Sequence, residues 1–277
     1  MQNNIIDEKT RRHEISCSLV FLSQKYDTMQ KQGIYKIITN VPLTKSVYKM
    51  VLEGDTSAIT APGQFINIEL AGKFLRRPIS ICDWNETTIT IIYKVVGEGT
   101  RQMAGMKEGE ELDILVGLGN GFNTNIEKMK HPLLVGGGVG VPPMYGLAKK
   151  LLAEGKRPTM IMGFNTAEEV FYYDEFVALG LDVFVTTVDG TGGTKGFVTD
   201  AMEQNGILYD YLYCCGPEPM LKALHRGVMT GGQLSFEERM GCGFGACMGC
   251  SCKTLTGYKR ICKDGPVMYK EEIDFNS

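Results

Sequence analysis

The 277-residue sequence has a single tryptophan, few histidines and no long hydrophobic run. Its three histidines, His13, His131 and His225, have no motif around them. No apolar stretch approaches the roughly 20 residues that span a bilayer, and the one at residues 19–22 is too short for a signal-peptide core. The formal net charge of −3 excludes the basic field that would hold nucleic acid or an anionic membrane. We interpret the protein as cytoplasmic.

Cysteine is plentiful by contrast, with nine residues, an odd number that argues against a simple disulfide framework. Five of the nine fall in the segment from Cys242 to Cys262, and clustered thiols in a reducing compartment indicate metal. Cys242, Cys247 and Cys250 have the C-x4-C-x2-C spacing of plant-type [2Fe–2S] proteins, which also use a more distant cysteine. Five cysteines are available for four ligand positions, so Cys252 could replace Cys250 or Cys262 as a ligand, although the C-x4-C-x2-C spacing does not include it.

A zinc site and a set of buried structural cysteines both compete with a cluster for this segment. Zinc favours C-x2-C pairs with tetrahedral closure, which the four-residue gap suits poorly. Buried structural cysteine accounts better for the isolated residues than for this dense group. The interleaved glycines would also let the backbone fold over a bulky anionic cluster and point N–H groups at its sulfurs. The segment therefore favours a [2Fe–2S] cluster.

The chain divides into a leader and three predicted modules. Residues 1–33 are polar, lack sustained periodicity and form an N-terminal extension. Residues 34–130 contain short β-rich runs separated by turns, which predicts an antiparallel β-barrel. Residues 131–234 alternate strands with helices, which predicts a doubly wound α/β domain with a parallel sheet. Residues 235–277 form a small C-terminal [2Fe–2S] module. The predicted strands are 34–39, 47–52, 64–70, 79–81, 88–93, 111–116, 133–135, 159–163, 182–188 and 209–214. One predicted helix begins near residue 100, and the other four cover 142–154, 168–179, 196–204 and 218–229.

An arginine–proline pair at the start of a short predicted strand is a candidate flavin site. Arg77 offers a planar fork of donors for a pyrophosphate, Pro78 stiffens the approach and Ser80 can hydrogen-bond a flavin ring. Gly97 and Gly99 with Thr100 could seat the same phosphates by backbone N–H groups ahead of a helix that begins near Thr100. The simple alternative is an arginine before a proline that opens an edge strand. The order of features favours flavin, because a barrel, this motif and a glycine-rich turn precede a dinucleotide-type fold.

Two glycine-rich turns of the α/β module are candidate contacts for a nicotinamide dinucleotide. Each follows a predicted strand and opens a helix, so both lie at the carboxyl ends of parallel strands, where such sheets bind ligands. The first departs from the G-x-G-x-x-G fingerprint, and glycines can also serve packing alone. Cys215 in the second turn could touch the nicotinamide ring or be a small residue buried at a strand end. The candidate residues are Gly136, Gly137, Gly138 and Gly140 in the first turn and Cys215, Gly216 and Pro217 in the second.

These motifs, in this order, resemble the ferredoxin–NADP reductase superfamily and, within it, the electron-transfer subunits of two-subunit, NAD-dependent dihydroorotate dehydrogenases. The resemblance covers about residues 34–270 and is most specific at 238–247 and 258–267. It implies FAD on the barrel, NAD(H) on the α/β domain and a [2Fe–2S] cluster in the tail, with Cys262 as the fourth ligand. The FAD contacts that it implies are Arg77, Pro78, Ile79, Ser80, Ile92, Tyr93, Lys94, Gly99 and Thr100.

The resemblance further implies a partner subunit that carries FMN and oxidises dihydroorotate to orotate in pyrimidine synthesis, with two copies of each subunit. Hydride is a two-electron unit and a [2Fe–2S] cluster takes one electron at a time, so FAD, which does both, must connect them. Two further classes stay open: the small subunit of an NADH-linked ferredoxin:NADP oxidoreductase or sulfide dehydrogenase, and a redox-sensing module without enzyme activity. The choice of NAD over NADP, the direction of electron flow and the role of residues 1–33 are also open.

Overall fold

The computed structural model describes residues 30–275, so nearly all of the predicted N-terminal extension lies outside the described residues. The first domain is a closed barrel of antiparallel strands in which one helix, α1 (Glu98–Gly105), follows the fifth strand. The strands are β1 (Lys31–Pro42), β2 (Val47–Glu53), β3 (Phe65–Ile68), β4 (Arg77–Trp84), β5 (Thr88–Lys94) and β6 (Glu111–Leu118). Their order around the barrel is β1-β2-β5-β4-β3-β6.

Alternation along β5 shows why these residues form a barrel. Ile89, Ile91 and Tyr93 are buried in the barrel interior. Ile92, between two of them, packs instead in the apolar core shared with the second domain. Because successive side chains of a strand point to opposite faces, β5 separates two cores and fixes which of its residues face the second domain.

The second domain is a mostly parallel α/β sheet. Its strands are β7 (Pro132–Gly137), β8 (Thr159–Phe164), β9 (Asp182–Thr187), β10 (Thr194–Lys195), β11 (Tyr211–Cys215) and β12 (Gly232–Ser235), and its helices are α2 (Val141–Ala153), α3 (Tyr173–Ala178), α4 (Val198–Gln204) and α5 (Glu218–Gly227). The order β10-β9-β8-β7-β11-β12 reverses direction at β7, as in a doubly wound sheet. None of the helices within residues 30–275 is long and apolar enough to cross a membrane.

The prediction of one helix over 168–179 is wrong. The chain forms a 3₁₀ turn at Ala167–Glu169 and then runs to the short helix α3. Tyr172, just before α3, has a left-handed φ of 65°. Its ring packs edge-on against Tyr145 at 5.3 Å between centroids, and the Lys49 ammonium lies 5.4 Å from its centroid. Tertiary burial of this aromatic side chain against the barrel overrides the local helix pattern.

The barrel and the α/β domain meet along α2 and β4. Gly146 of α2 lies so close that an added Cβ would be 2.8 Å from the Cys82 carbonyl oxygen. Lys149, one turn further, places its Nζ 2.6 Å from an Asp83 carboxylate oxygen. Glycine therefore permits close packing of the helix on the strand, and the ion pair closes the edge of this contact.

The C-terminal residues form a small module that contacts both domains. After the cysteine loop (residues 241–250), β13 (Ser251–Thr254) pairs antiparallel with β14 (Gly257–Arg260). The last strand, β15 (Val267–Tyr269), pairs antiparallel with β12 and becomes the edge of the α/β sheet. Phe65 and Leu118 of the barrel share an apolar core with Cys250, Ile261 and Cys262. The cysteine module is therefore held against the outer face of β3 and β6.

Candidate functional site

The four predicted cluster cysteines lie in two pairs. The side chains of Cys242 and Cys247 contact each other, and each backbone N–H lies 3.4 Å from the sulfur of the other. Cys250 and Cys262 form the second pair, in which the Cys262 N–H donates to Cys250 Sγ at 3.4 Å. A [2Fe–2S] cluster takes four thiolates in all, and the two pairs supply that number. Within residues 30–275, no three His, Cys, Asp or Glu side chains lie close enough together to hold a single metal ion.

The backbone of the cysteine loop is oriented toward the sulfurs. The Ala246 N–H lies 3.2 Å from Cys242 Sγ, and the Gly249 N–H lies 3.4 Å from Cys247 Sγ. Burial opposes ionisation of Cys242, but backbone N–H donors from the loop outweigh it and lower its pKa to about 6. The loop therefore already stabilises negative charge on sulfur, as an iron–sulfur ligand requires.

Cys252 belongs to neither pair. It is on β13 opposite Lys259, and burial raises the pKa of its thiol. Cys262, by comparison, is buried against Cys250, and burial together with that neighbouring thiol raises its pKa to about 12. The geometry thus pairs Cys242 with Cys247 and Cys250 with Cys262, and it places Cys252 in the hairpin ladder.

The flavin strip, which we define as Arg77–Ser80 on β4, is brought together with the start of α1. An added Cβ at Gly99 would be 2.2 Å from Arg77 Nε, so the guanidinium lies directly on the first turn of the helix. Ser80 is half-buried and its hydroxyl has no hydrogen-bond partner among the described residues. The Thr100 hydroxyl oxygen accepts hydrogen bonds from the N–H groups of Val96 and Gly97, at 3.0 and 3.2 Å. The Arg77 guanidinium and the unpartnered Ser80 hydroxyl supply donors of the kind that an FAD pyrophosphate and ring need.

The three predicted FAD contacts on the neighbouring strand β5 point in different directions. Tyr93 points into the barrel, where its hydroxyl donates to Asn40 Oδ1 at 2.9 Å, so only its backbone is available outside. Ile92 packs between the domains. Lys94 reaches the α/β domain, where its Nζ lies 3.6 Å from Glu169 Oε1. Pro78 and Ile79 are half-buried beside β3.

A cavity of about 500 Å³ opens at the carboxyl ends of the parallel strands. Both predicted glycine turns line it through Gly137, Gly138, Gly140, Gly216 and Pro217. The two turns touch, since an added Cβ at Gly140 would be 2.1 Å from the Cys215 carbonyl oxygen. Gly138 has a left-handed φ of 53°, which a side chain would disfavour. Gly136 lies behind them against Val141.

Cys215 is buried at the end of β11 and does not line the cavity. Burial, with the nearby Glu237 carboxylate, raises its pKa to about 12. A thiol with this pKa is neutral at physiological pH, so Cys215 provides a small, polarizable side chain beside the cavity and no nucleophile.

The structure adds residues that sequence patterns did not indicate. Thr186 lines the cavity with a buried hydroxyl that has no hydrogen-bond partner within residues 30–275. Glu237 of the C-terminal module also lines the cavity. Its carboxyl group faces the cleft but is largely surrounded by protein, and this partial burial raises its pKa. Asn67 on β3 donates from Nδ2 to the Cys242 carbonyl oxygen at 3.3 Å. No motif distinguishes these side chains; only the fold places them.

Comparison with known proteins agrees with this arrangement. Residues 134–226 match the family model described as oxidoreductase NAD-binding domain, and residues 237–274 match the iron–sulfur cluster binding domain of dihydroorotate dehydrogenase B. Among solved structures, the chain is similar to a chain of the NADH-dependent reduced ferredoxin-NADP oxidoreductase, with a TM-score of 0.79, 31% identity and coverage of 88% of this chain and 91% of that chain. A ferredoxin NADP⁺ reductase from Neisseria gonorrhoeae shares the fold at a TM-score of 0.62 and 17% identity, covering 71% of this chain and 89% of that one.

The barrel, the α/β sheet and the cavity between them define a flavin-linked oxidoreductase of the ferredoxin–NADP reductase class. Two curated electron transfer subunits of dihydroorotate dehydrogenase B (NAD(+)) are similar over most of their length. The one from Fusobacterium nucleatum is 46% identical over 248 residues, covering 85% of this chain and 95% of its own, and the one from Geobacillus is 44% identical over 256 residues, covering 88% and 99%. The chain belongs to this family of electron transfer subunits.

Proposed function

We propose that the chain passes electrons between a catalytic partner subunit and NAD⁺ through a [2Fe–2S] cluster and FAD. The observation that carries this proposal is the position of the flavin strip and its neighbour β5. Lys94 at the end of β5 lines the dinucleotide cavity. On the other side, Pro78 of β4 stands opposite Asn67 of β3, whose amide donates a hydrogen bond to the cysteine loop, called the cluster loop from here on. A flavin on this strip would therefore lie between the other two sites.

The residues hold and orient the cofactors. Arg77 and the first turn of α1 would bind the FAD pyrophosphate, and Ser80 would donate to or accept from its ring. The glycine turns and Thr186 would seat the dinucleotide, and Cys242, Cys247, Cys250 and Cys262 would ligate the two irons. When bound, FAD supplies the conversion between two-electron and one-electron transfer. No side chain needs to act as a general acid or base.

The partner follows from the relatives. Each relative is an electron transfer subunit of dihydroorotate dehydrogenase B, which implies a catalytic partner subunit that oxidises dihydroorotate. We propose that this partner contains FMN, that two copies of each subunit assemble in the cytoplasm, and that electrons run toward NAD⁺ during pyrimidine synthesis. The proposed modules are residues 34–130 for FAD, 131–234 for NAD and 235–277 for the cluster.

A reconstitution assay tests this function. The chain alone should reduce artificial dyes with NADH and show no dihydroorotate-dependent reduction of NAD⁺, because within residues 30–275 the barrel, the α/β domain and the cysteine module are assigned to FAD, NAD and the cluster. Adding the FMN subunit should restore that reaction. Turnover of dihydroorotate by the chain alone would contradict the proposal. Co-purification with a subunit that reduces ferredoxin and does not oxidise dihydroorotate would favour the ferredoxin:NADP oxidoreductase alternative.

A further inference from the structure

One buried amide lies between the flavin strip and the cluster loop. Asn67 is the third residue of β3 and is only 1% exposed. Its neighbours Ile66 and Ile68 point into the barrel, so Asn67 points outward, as Phe65 does. On this outer face Asn67 stands directly opposite Pro78, and Phe65 stands opposite Ser80. Directly opposite residues of antiparallel strands share a face, so Asn67 borders the flavin strip.

The amide nitrogen of Asn67 donates a hydrogen bond to the cluster loop. Nδ2 donates to the carbonyl oxygen of Cys242 at 3.3 Å. Because that carbonyl can only accept, the atom that faces it must be the nitrogen, which fixes the orientation of the amide. Gly243 follows in the loop with a φ of 79°, and an added Cβ there would be 2.2 Å from Nδ2. Glycine at this position lets the cluster loop settle directly onto Asn67.

The amide oxygen of Asn67 has no partner within residues 30–275. Oδ1 is buried and accepts no hydrogen bond from any of these residues. Pro78 beside it has no N–H to offer. A buried, unpaired acceptor is costly, of the order of 1–3 kcal/mol, so native structures rarely keep one without a purpose. A ligand with a donor group would satisfy it.

We propose that Asn67 is a positioning residue that joins the two electron-transfer cofactors: its nitrogen anchors the cluster loop at Cys242 and its oxygen accepts a hydrogen bond from an N–H or O–H of FAD. This rests on the proposed function, since it requires FAD on the flavin strip and a [2Fe–2S] group on the cluster loop. One side chain then sets the separation over which a single electron passes from reduced FAD to the oxidised cluster, or in reverse.

The test compares Asn67→Leu and Asn67→Asp with wild type, each as the full chain loaded with FAD and cluster. In Asn67→Leu both contacts are lost, so the FAD dissociation constant should rise about tenfold, and the g-values of the dithionite-reduced cluster should shift in electron paramagnetic resonance. Asn67→Asp keeps an acceptor and loses the donor, so the cluster spectrum should shift while FAD affinity falls less than in Asn67→Leu.

Asn123→Leu is the matched control. Asn123 also joins the C-terminal module to the rest of the chain, with Nδ2 2.8 Å from the Tyr269 hydroxyl oxygen, but its side chain bonds neither the cluster loop, nor the segment around Cys262, nor the flavin strip. This variant should leave FAD affinity and the cluster spectrum unchanged, which separates loss of the Asn67 contacts from general loosening of the module.

The outcomes decide between the two proposals. If wild type fails to bind FAD or assemble a cluster, the proposed function itself fails. If wild type does both and Asn67→Leu leaves either the FAD dissociation constant or the cluster spectrum unchanged, the role of Asn67 is overturned, since it requires both contacts. A shift of the same size in Asn123→Leu would also overturn it.

Discussion

At the residue scale, the cysteine tail shows how position distinguishes chemically identical side chains. Cys252 lies within β13 of the β13–β14 hairpin, whereas Cys262 lies two residues after the end of β14. Cys262 is buried in contact with Cys250, whereas Cys252 is paired in the hairpin ladder. Spacing alone left both as possible ligands, because a residue count contains no information on which strand end faces the loop.

We expect replacement of Cys242, Cys247, Cys250 or Cys262 by Ala to remove the visible absorbance of the cluster, because an iron would lose a thiolate in each case. Cys252→Ala is the control and should retain both iron and absorbance. Iron content and absorbance after anaerobic reconstitution measure this. Iron kept in Cys262→Ala and lost in Cys252→Ala would show that the ligand set is wrong.

Thr186 and Asn67 mark the limit of what the sequence predicts at this scale. A threonine in a β-strand is ordinary, and an asparagine between two isoleucines carries no motif. Their significance comes from a buried polar atom without a hydrogen-bond partner among residues 30–275, which depends on contacts between segments far apart in the chain. Glycine turns and cysteine spacings, by contrast, are local and could be recognised directly.

At the scale of elements, the flavin strip and α1 act as one unit. Arg77 lies on β4 and Gly99 in the first turn of α1, and the guanidinium fills the space that a side chain at Gly99 would need. The absence of a side chain there lets the arginine and the helix N-terminus face the same anion.

Gly99→Ala should therefore imitate Arg77→Ala. The added Cβ must displace the guanidinium, and either change should weaken FAD binding by about 1.5–3 kcal/mol, the range for hydrogen bonds to charged groups. Gly105→Ala, at the far end of α1, is the matched control, since an added Cβ there meets nothing within 4 Å. FAD titration by fluorescence measures all three variants. Equal FAD affinity in Gly99→Ala and Gly105→Ala would show that Arg77 does not hold the flavin.

Elements were predicted well where one periodicity dominates and poorly where tertiary contacts decide. The strand over 88–93 follows from its alternating isoleucines and matches β5 almost residue for residue. The helix over 168–179 was wrong because Phe171 and Tyr172 are buried between domains. The three-residue β15 was missed because a strand this short has no period, and its pairing with β12 is a long-range contact.

At the scale of the whole molecule, three modules bring three sites into one row. The cavity is lined by residues of the α/β domain, by Lys94 of the barrel and by Glu237 of the C-terminal module. The cluster loop packs on the outer face of the barrel. The order of the modules along the chain predicted this set of sites, but their adjacency depends on β3, β4 and β5 being neighbours in a closed barrel.

The central claim is that FAD connects the dinucleotide to the cluster, and removal of FAD tests it most directly. The measurement is the electron paramagnetic resonance signal of the reduced cluster after NADH is added to protein that keeps its cluster but has lost FAD. We predict no signal in the FAD-free protein and full recovery when FAD is restored, because hydride cannot enter a one-electron cluster directly. Reduction of the cluster by NADH in the absence of FAD would contradict this claim.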